Sequence, residues 1–273
     1  MTVECRNVTK TFLYPKENKG IFSLIDINLK VEKNEFVCLV GPSGCGKTTL
    51  LHMIAGLVLP TKGQILVKGK PVNGVSPERG LIFQEASLFP WLSVLENIVL
   101  GLKAGGIPKR EGNEIARRYL DIVGLKGFDH ARPHQLSGGM KQKVAIARTL
   151  VLQPEILLMD EPFGSLDEQT RLRLDYELLN IWEKDLKTVI FVTHSIEEAV
   201  MLADRIIVFT KRPGKVQRVV NLAIPRPRDM FSPDVTEVRK DLLKDLMLCC
   251  PPERPIQLIS EKEKLTNAQR LGR

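Results

Sequence analysis

Phe36-Val-Cys-Leu-Val40 runs directly into Gly41-Pro-Ser-Gly-Cys-Gly-Lys-Thr-Thr-Leu50. Five apolar residues without alternation predict a short strand buried on both faces. The glycines then let the backbone turn its N–H groups inward, and Lys47 opens a helix predicted to reach Leu57. Gly41 to Thr48 fits the phosphate-loop pattern in full, between the strand and helix that the mechanism requires. Backbone N–H groups and the helix N-terminus favour phosphate oxygens. Lys47 is placed to reach β- and γ-phosphates, and the Thr48 hydroxyl to ligate Mg²⁺. The predicted nucleotide-phosphate-binding set is therefore Gly41, Pro42, Ser43, Gly44, Cys45, Gly46, Lys47, Thr48 and Thr49. Cys45 is read as a small tolerated side chain, although a helix N-terminus can also activate a thiol.

Downstream of this loop, strands and helices alternate. Ile156–Met159, Val189–Val192 and Ile206–Phe209 are predicted strands, separated by helices over Glu168–Asp185 and Ile196–Leu202. That order predicts an α/β core. Val3–Val8 and Leu24–Leu29 alternate apolar and polar residues, as half-exposed antiparallel strands do. Gln64–Lys68 is a further short strand. From Ser93 to Val123 the period turns helical, broken at 105–108, and another helix is expected over Gly138–Leu152. Residues of about 88–152 thus form an inserted helical subdomain within a nucleotide-binding domain of 1–230. A short helical tail, 231–273, follows. In it Val235, Val238, Leu242 and Leu246 mark one apolar face.

The chain has 273 residues, 43% hydrophobic and 26% charged, enough for a sizeable core. Its apolar runs are too short to span a membrane, and the first residues lack a signal-peptide core, which predicts a cytosolic protein. Net charge is +8, but no basic block with interleaved aromatics favours nucleic acid. The cysteines at 5, 38, 45, 249 and 250 form neither a metal spacing nor a disulfide framework and are read as reduced thiols.

Two further segments carry chemistry. Ile156-Leu-Leu-Met-Asp160-Glu161 ends a buried strand in paired acids. Asp160 is placed to hold Mg²⁺ through water, and Glu161 to polarise an attacking water as general base. Ser137-Gly138-Gly139 opens a helix and makes a second phosphate cradle, far from the first in sequence.

With these segments in this order, about residues 2–225 resemble the nucleotide-binding subunit of an ATP-binding-cassette transporter. The resemblance implies a P-loop, RecA-like mixed-sheet core with an N-terminal antiparallel β subdomain and an inserted α-helical subdomain. It also implies the roles of several residues. Phe12 matches the aromatic that stacks on adenine, with Tyr14 as its rival. Gln84 matches the glutamine that senses Mg²⁺ and water. Ser165, Leu166 and Asp167 match the loop that crosses the dimer interface, and His194 the histidine that contacts the γ-phosphate. Leu88, Phe89 and Trp91 follow Gln84 and are expected to dock a membrane subunit, or else to anchor the helical subdomain internally. In such a family two subunits sandwich each ATP between the P-loop of one and the Ser137-Gly138-Gly139 cradle of the other. ATP and Mg²⁺ are the implied cofactors. The implied partners are two integral membrane permease subunits, a second ATPase subunit and, indirectly, an extracytoplasmic solute-binding protein, with the chain peripheral on the cytoplasmic face of the membrane. Where the family commonly has Gln, this chain has Met140, which lacks the amide's hydrogen bonds.

Phe89-Pro-Trp-Leu-Ser-Val94, Pro133-His-Gln-Leu136, Arg212-Pro-Gly-Lys215 and Ile224-Pro-Arg-Pro-Arg228 are similar to segments of prokaryotic importers for nitrate, sulfonate, taurine, bicarbonate or thiamine-precursor compounds. Three other readings remain beside the importer: a soluble switch ATPase of the same type, as in iron–sulfur assembly; a phosphotransferase, which leaves Ser137-Gly138-Gly139 without a purpose; and an exporter.

Overall fold

A computed structural model describes residues 2–14 and 19–249. Strands β1 (Val3–Tyr14), β2 (Lys19–Val31), β4 (Lys62–Val67) and β5 (Lys70–Pro71) form an antiparallel sheet ordered β2-β1-β4-β5. β3 (Phe36–Val40), β6 (Arg79–Ile82), β7 (Ile156–Asp160), β8 (Thr188–Val192), β9 (Arg205–Phe209) and β10 (Val216–Asn221) form a second sheet, ordered β10-β9-β3-β8-β7-β6. It is parallel except for β10, whose pairing with β9 is antiparallel. β3, β7 and β8 are buried along their whole length, as their unbroken apolar runs require.

The first two strands are longer than the alternation predicts. Val3, Cys5 and Val8 are all buried, yet Cys5 and Val8 are three residues apart. Leu24 and Ile27 have the same odd spacing. Asn7 and Asp26 explain both: each takes a left-handed φ, near 50°, where the ladder slips register. The two bulges are tied together, Asn7 Nδ2 donating to Asp26 Oδ1 at 2.8 Å.

Helix α1 (Lys47–Ala55) stops short of Leu57, because Gly56 supplies a left-handed C-cap. The predicted helical stretch after Ser93 is two helices, α2 (Val94–Ala104) and α3 (Lys109–Ile122), with α4 (Gly138–Leu150) packed on both. A 3₁₀ turn, Pro133–Gln135, leads into α4. α2 starts in a complete capping box between Ser93 and Glu96. α5 (Glu168–Lys184) and α6 (Ile196–Leu202) complete the layers on the parallel sheet. Trp182 on α5 stands edge-on to Phe36 of β3, centroids 5.7 Å apart, and fixes that layer to the sheet.

α7 (Pro233–Cys249) seats the predicted apolar face: Val235 and Leu242 are buried, and Val238 and Leu246 pack against the core. Ahead of it, the Ile224–Arg228 segment closes the end of α6. Arg228 is buried and donates to the carbonyls of Val200 and Ala203 at 2.6 and 2.7 Å, and Arg226 donates to that of Leu202 at 2.7 Å. Arg226 also stacks on Trp182. Burial lowers the Arg228 pKa to about 10, so the guanidinium stays charged against the helix's C-terminal carbonyls. Residues 250–273, with Cys250 among them, lie outside the described residues, as does the side chain of Cys249.

Candidate active site

The site forms where β3, β8 and β7, neighbours in the sheet, end together. Crevices beyond the carboxyl ends of parallel strands are where this architecture takes its ligands. After β3 the chain turns through 41–46 into α1. Gly46 has φ 105°, and a Cβ there would stand 2.7 Å from Leu24 Cδ2, so the loop lies flat on β2 only with glycine. α1 begins with no side-chain cap. Its first N–H groups are therefore left for a ligand. Lys47 is buried, and its Nζ donates to the carbonyls of Gly41 and Pro42 at 2.7 and 3.1 Å. The ammonium thereby stays at the loop's mouth.

An open depression of about 390 Å³ lies over this helix start, lined by Phe12, Ser43, Gly44, Gly46, Lys47, Thr48, Thr49, Glu161, Ser23 and Arg212. Phe12 is exposed at its edge, with Lys10 over its ring. The side chain of Tyr14, its rival, lies outside the described residues. Ser23 and Arg212 were not legible in the sequence. Ser23 is buried and donates to Thr49 Oγ1 at 3.2 Å, while Arg212 donates to the Phe22 carbonyl at 3.3 Å. Both arrive through β2, whose Leu24 bridges to Gly214 behind the loop. A Cβ on Gly214 would collide with the Cys45 carbonyl.

Asp160 ends β7 and Thr48 Oγ1 donates to its Oδ1 at 2.8 Å. Burial raises the Asp160 pKa, against the Thr48 bond and the nearby His52. His52 is a second residue the sequence did not flag: its Nε2 is 3.8 Å from Asp160 Oδ2. Among the described residues no three His, Cys, Asp or Glu side chains gather as a metal cage. A hydroxyl beside a carboxylate, both oxygen donors, next to a phosphate cradle fits Mg²⁺, which takes few protein ligands and completes its shell with phosphates and water.

Glu161 follows in a left-handed conformation, φ 43°, while its N–H still donates to the Val192 carbonyl. Such a residue outside glycine carries strain of order 1–3 kcal/mol. The turn carries its carboxylate over the depression, 3.0 Å from His194 Nδ1. Gln84 lies exposed just beyond β6, where Ile82 pairs with Met159 next to the end of β7. The structure thus gathers the phosphate loop, Asp160, Glu161 and His194, with Gln84 at the margin.

Ser137, Gly138 and Gly139 stand apart and line no part of this depression. Ser137 caps α4, accepting from Met140 N at 3.3 Å. Gly138 faces Leu166, whose Cδ2 would lie 3.1 Å from a Cβ there. Asp167 caps α5 through Thr170 N at 3.0 Å, and Ser165 is exposed. A larger cavity of about 420 Å³, between α3 and α5, brings together none of the predicted residues.

Residues 24–164 match the family described as ABC transporter, and the match runs from β2 through the P-loop and α4 to Gly164. This chain belongs to the ABC transporter family. An uncharacterized ABC transporter ATP-binding protein of Methanocaldococcus jannaschii is 52% identical over 244 residues, 89% of this chain and 91% of that one. The nitrate import ATP-binding protein NrtD of Synechocystis is 46% identical over 82% of this chain and 84% of its own length. The aliphatic sulfonates import ATP-binding protein SsuB of Bacillus cereus is 44% identical over 89% and 95%. A solved ATP-binding cassette, dimeric in a post-hydrolysis state with ADP and Pi, superimposes with a TM-score of 0.72 at 35% identity, covering 82% of this chain and all of that one. The chain is an ATPase of the kind this family couples to transport.

In this ABC ATPase the segment after Gln84 is held by residues that sequence reasoning missed. Arg148 donates to the carbonyls of Ala86 and Ser87, each at 2.9 Å, and Gln142 to that of Phe83 at 3.2 Å. Both lie on α4. Asn97, fully buried on α2, accepts from Phe89 N at 2.9 Å and donates to the carbonyls of Phe89, Leu92 and Ser93. The loop's shape is thus set by buried polar clamps, each costly to break. On that frame Leu88 packs inward against the core, while Trp91 is 70% exposed, its ring 5.5 Å from that of Phe89. A buried Asn inside an apolar helix is the one signal that could have found the clamp.

Proposed function

We propose that this chain is the ATP-hydrolysing subunit of an importer, acting as a dimer on two membrane-spanning permease subunits, with a small anion such as nitrate, a sulfonate, taurine or bicarbonate as the solute. The observation that carries the dimer is the separation of the two phosphate-binding helix starts: one lines the depression over α1, the other faces outward from α4. A second copy brings its Ser137-Gly138-Gly139 to the γ-phosphate side. The import names of the nitrate and sulfonate relatives support the solute class.

In this reading the N–H groups of 43–48 and Lys47 bind the phosphates, and Phe12 stacks on the adenine. Thr48, Asp160 and Gln84 would hold Mg²⁺, which would neutralise phosphate charge when bound. Glu161 takes a proton from the attacking water, and His194 orients that carboxylate and contacts the γ-phosphate. Closing and opening of the dimer drives the permeases. Among the described residues no helix is long and apolar enough to cross a membrane, which accords with a peripheral place on the cytoplasmic face. An extracytoplasmic binding protein engages only through the permeases.

Trp91 is the exposed member of the loop that this reading docks on a permease. Trp91→Ala is expected to weaken assembly with the permeases by about 2 kcal/mol, the cost of an aromatic hot spot. The thermal stability and ATP affinity of the isolated subunit should not change, because the side chain is mostly in solvent. Co-purification of both proteins with the permeases checks this. Stability lost in proportion to assembly would assign Trp91 to internal anchoring. ATP hydrolysis by a chain that never assembles with membrane proteins would favour the soluble switch.

A further inference from the structure

Behind the site lies a group of buried polar side chains that the hydrolytic roles above do not use. Arg171, on the first turn of α5, donates from Nη2 to the carbonyl of Leu166 at 3.0 Å. Its Nε lies 3.9 Å from Glu198 Oε1 on α6. The other oxygen of Glu198 accepts the hydroxyl proton of Thr193 in a close hydrogen bond. Thr193 Oγ1 in turn accepts from Ser195 N at 2.9 Å, and Ser195 Oγ accepts from Glu198 N at 3.2 Å. Thr193 and Glu198 are buried; Arg171 is partly so. His194 is the residue enclosed between Thr193 and Ser195, and its ring reaches Glu161. At the far end, Leu166 rests on Gly138.

We propose that Arg171, Glu198 and Thr193 are positioning residues that hold His194 against Glu161 and tie its backbone to the Leu166–Gly138 contact. The proposal rests on the roles given above to His194 and Glu161. It adds that the cradle at α4, which in a dimer faces the other subunit's ATP, is linked inside one chain to the histidine that serves its own. The links are hydrogen bonds at Leu166 and Thr193, an ion pair at 3.9 Å between Arg171 and Glu198 and an apolar contact at Gly138, so the coupling is open to a direct measurement.

Two features of the surroundings fit. Asp175, one turn along α5 from Arg171, is buried, and desolvation with the nearby Glu198 pushes its pKa up to about 9. Burial raises the Glu198 pKa as well, against its hydrogen bond with Thr193 and the nearby Arg171, so Glu198 too depends on these two partners inside the fold. The carbonyls at the other end of α6 are closed by Arg226 and Arg228. Helix α6 is therefore fixed at its far end, and a shift of Glu198 is transmitted to Thr193 rather than absorbed by movement of the helix.

The test is steady-state MgATP hydrolysis by the full-length chain. Thr193→Val and Arg171→Gln are each expected to lower kcat about 10-fold, within what a small misplacement of a reacting group costs. KM for ATP should stay within about 2-fold, since nucleotide binding is untouched. Thr193→Ser, which keeps the hydroxyl, should restore the rate. The double variant should be no slower than the worse single, because both break one relay. Losses that multiply in the double variant, a raised KM with unchanged kcat, or a Thr193→Ser enzyme as slow as Thr193→Val would each overturn the relay. Arg171 is partly exposed, so its variant gives a readout that does not depend on tolerance of a core change. His194→Ala separates this idea from its premise. A slow His194→Ala beside additive relay variants removes the relay alone. A His194→Ala enzyme at the wild-type rate removes the role of His194 and the relay with it.

Discussion

Helices α1 and α4 both start beneath glycines, and both starts read as phosphate cradles, yet they are built differently. α1 has no side-chain cap, lies under a depression, and carries a buried lysine in its first turn. α4 is capped by its own Ser137, and its start lies exposed on the surface. The four N–H groups at a helix start must go somewhere. At α1 they are held for a ligand. At α4 the serine already answers one of them, so an arriving phosphate displaces or shares that bond. On the proposed reading, the first start takes one nucleotide from its own chain, and the second acts only on a phosphate that another surface presents.

The largest expected effect tests which helix start belongs to the chemistry. Glu161→Gln leaves α1 and its lysine unaltered, so ATP binding should persist while hydrolysis falls by roughly 100-fold or more, the scale of a lost general base. A stopped-flow or phosphate-release assay beside a binding titration measures both. Near-normal turnover would remove Glu161 from the role.

The next effect separates the two cradles. Ser137→Arg, placed in the Glu161→Gln protein, should leave the affinity of the monomer for ATP within about 2-fold while weakening ATP-driven dimerisation by about 2 kcal/mol, some 30-fold. Analytical ultracentrifugation with and without MgATP reads the difference. If the double variant still dimerises normally, the presented-phosphate account of α4 fails.

A smaller effect concerns what supports the sites. Asp175 has a folded pKa near 9, raised by burial above the ordinary carboxylate value. The folded chain therefore holds a proton that the unfolded chain has released. The stability it adds is present at low pH and is lost as pH rises toward 9. Asp175→Asn should raise the melting temperature by roughly 2–4 °C at pH 8, the size of a 1 kcal/mol change, and by less at pH 5. An equal gain at both pH values would show that Asp175 is ionised in the folded protein.

The smallest expected effect is a null one at α1. Cys45 is fully buried, beneath the loop rather than among the ligand-facing amides, and burial raises its pKa. A helix N-terminus can activate a thiol, but burial opposes that here: alkylation of Cys45 should be slow with or without MgATP, followed by peptide mass mapping.

What was legible in the sequence was what repeats along it. The runs at Phe36–Val40, Ile156–Asp160 and Thr188–Val192 declared a parallel sheet, and the residues ending them declared the site. β6 was missed because Arg79-Gly-Leu-Ile82 is short and half-buried at the sheet's edge, and β10 because its polar residues face solvent. The bulges at Asn7 and Asp26 broke the period that would have given β1 and β2 their full length. Ser23, His52, Arg212 and the clamp at Asn97 were hidden for another reason. Ser23, His52 and Arg212 act across large sequence separations on partners that only the fold supplies, while Asn97 reaches back only four to eight residues, to loop carbonyls that a polar residue in a helix does not announce. Arg-Pro-Gly and Ile-Pro-Arg-Pro-Arg, which resemble importer segments, have in-chain work to do: one docks behind the P-loop and the other closes α6.

That closure has a bearing on synthesis. On the relay proposed above, α6 supports the histidine, and among the described residues its last carbonyls accept side-chain bonds from Arg226 and Arg228, which leave the ribosome some two dozen residues after the helix itself. A nascent chain ending before Arg228 would hold every nucleotide-binding motif and still lack a settled histidine. Any truncation, tag or fusion joint meant to leave the ATPase intact has its earliest safe position beyond that residue. Newly made chains would gain nucleotide affinity before they gain the power to consume it.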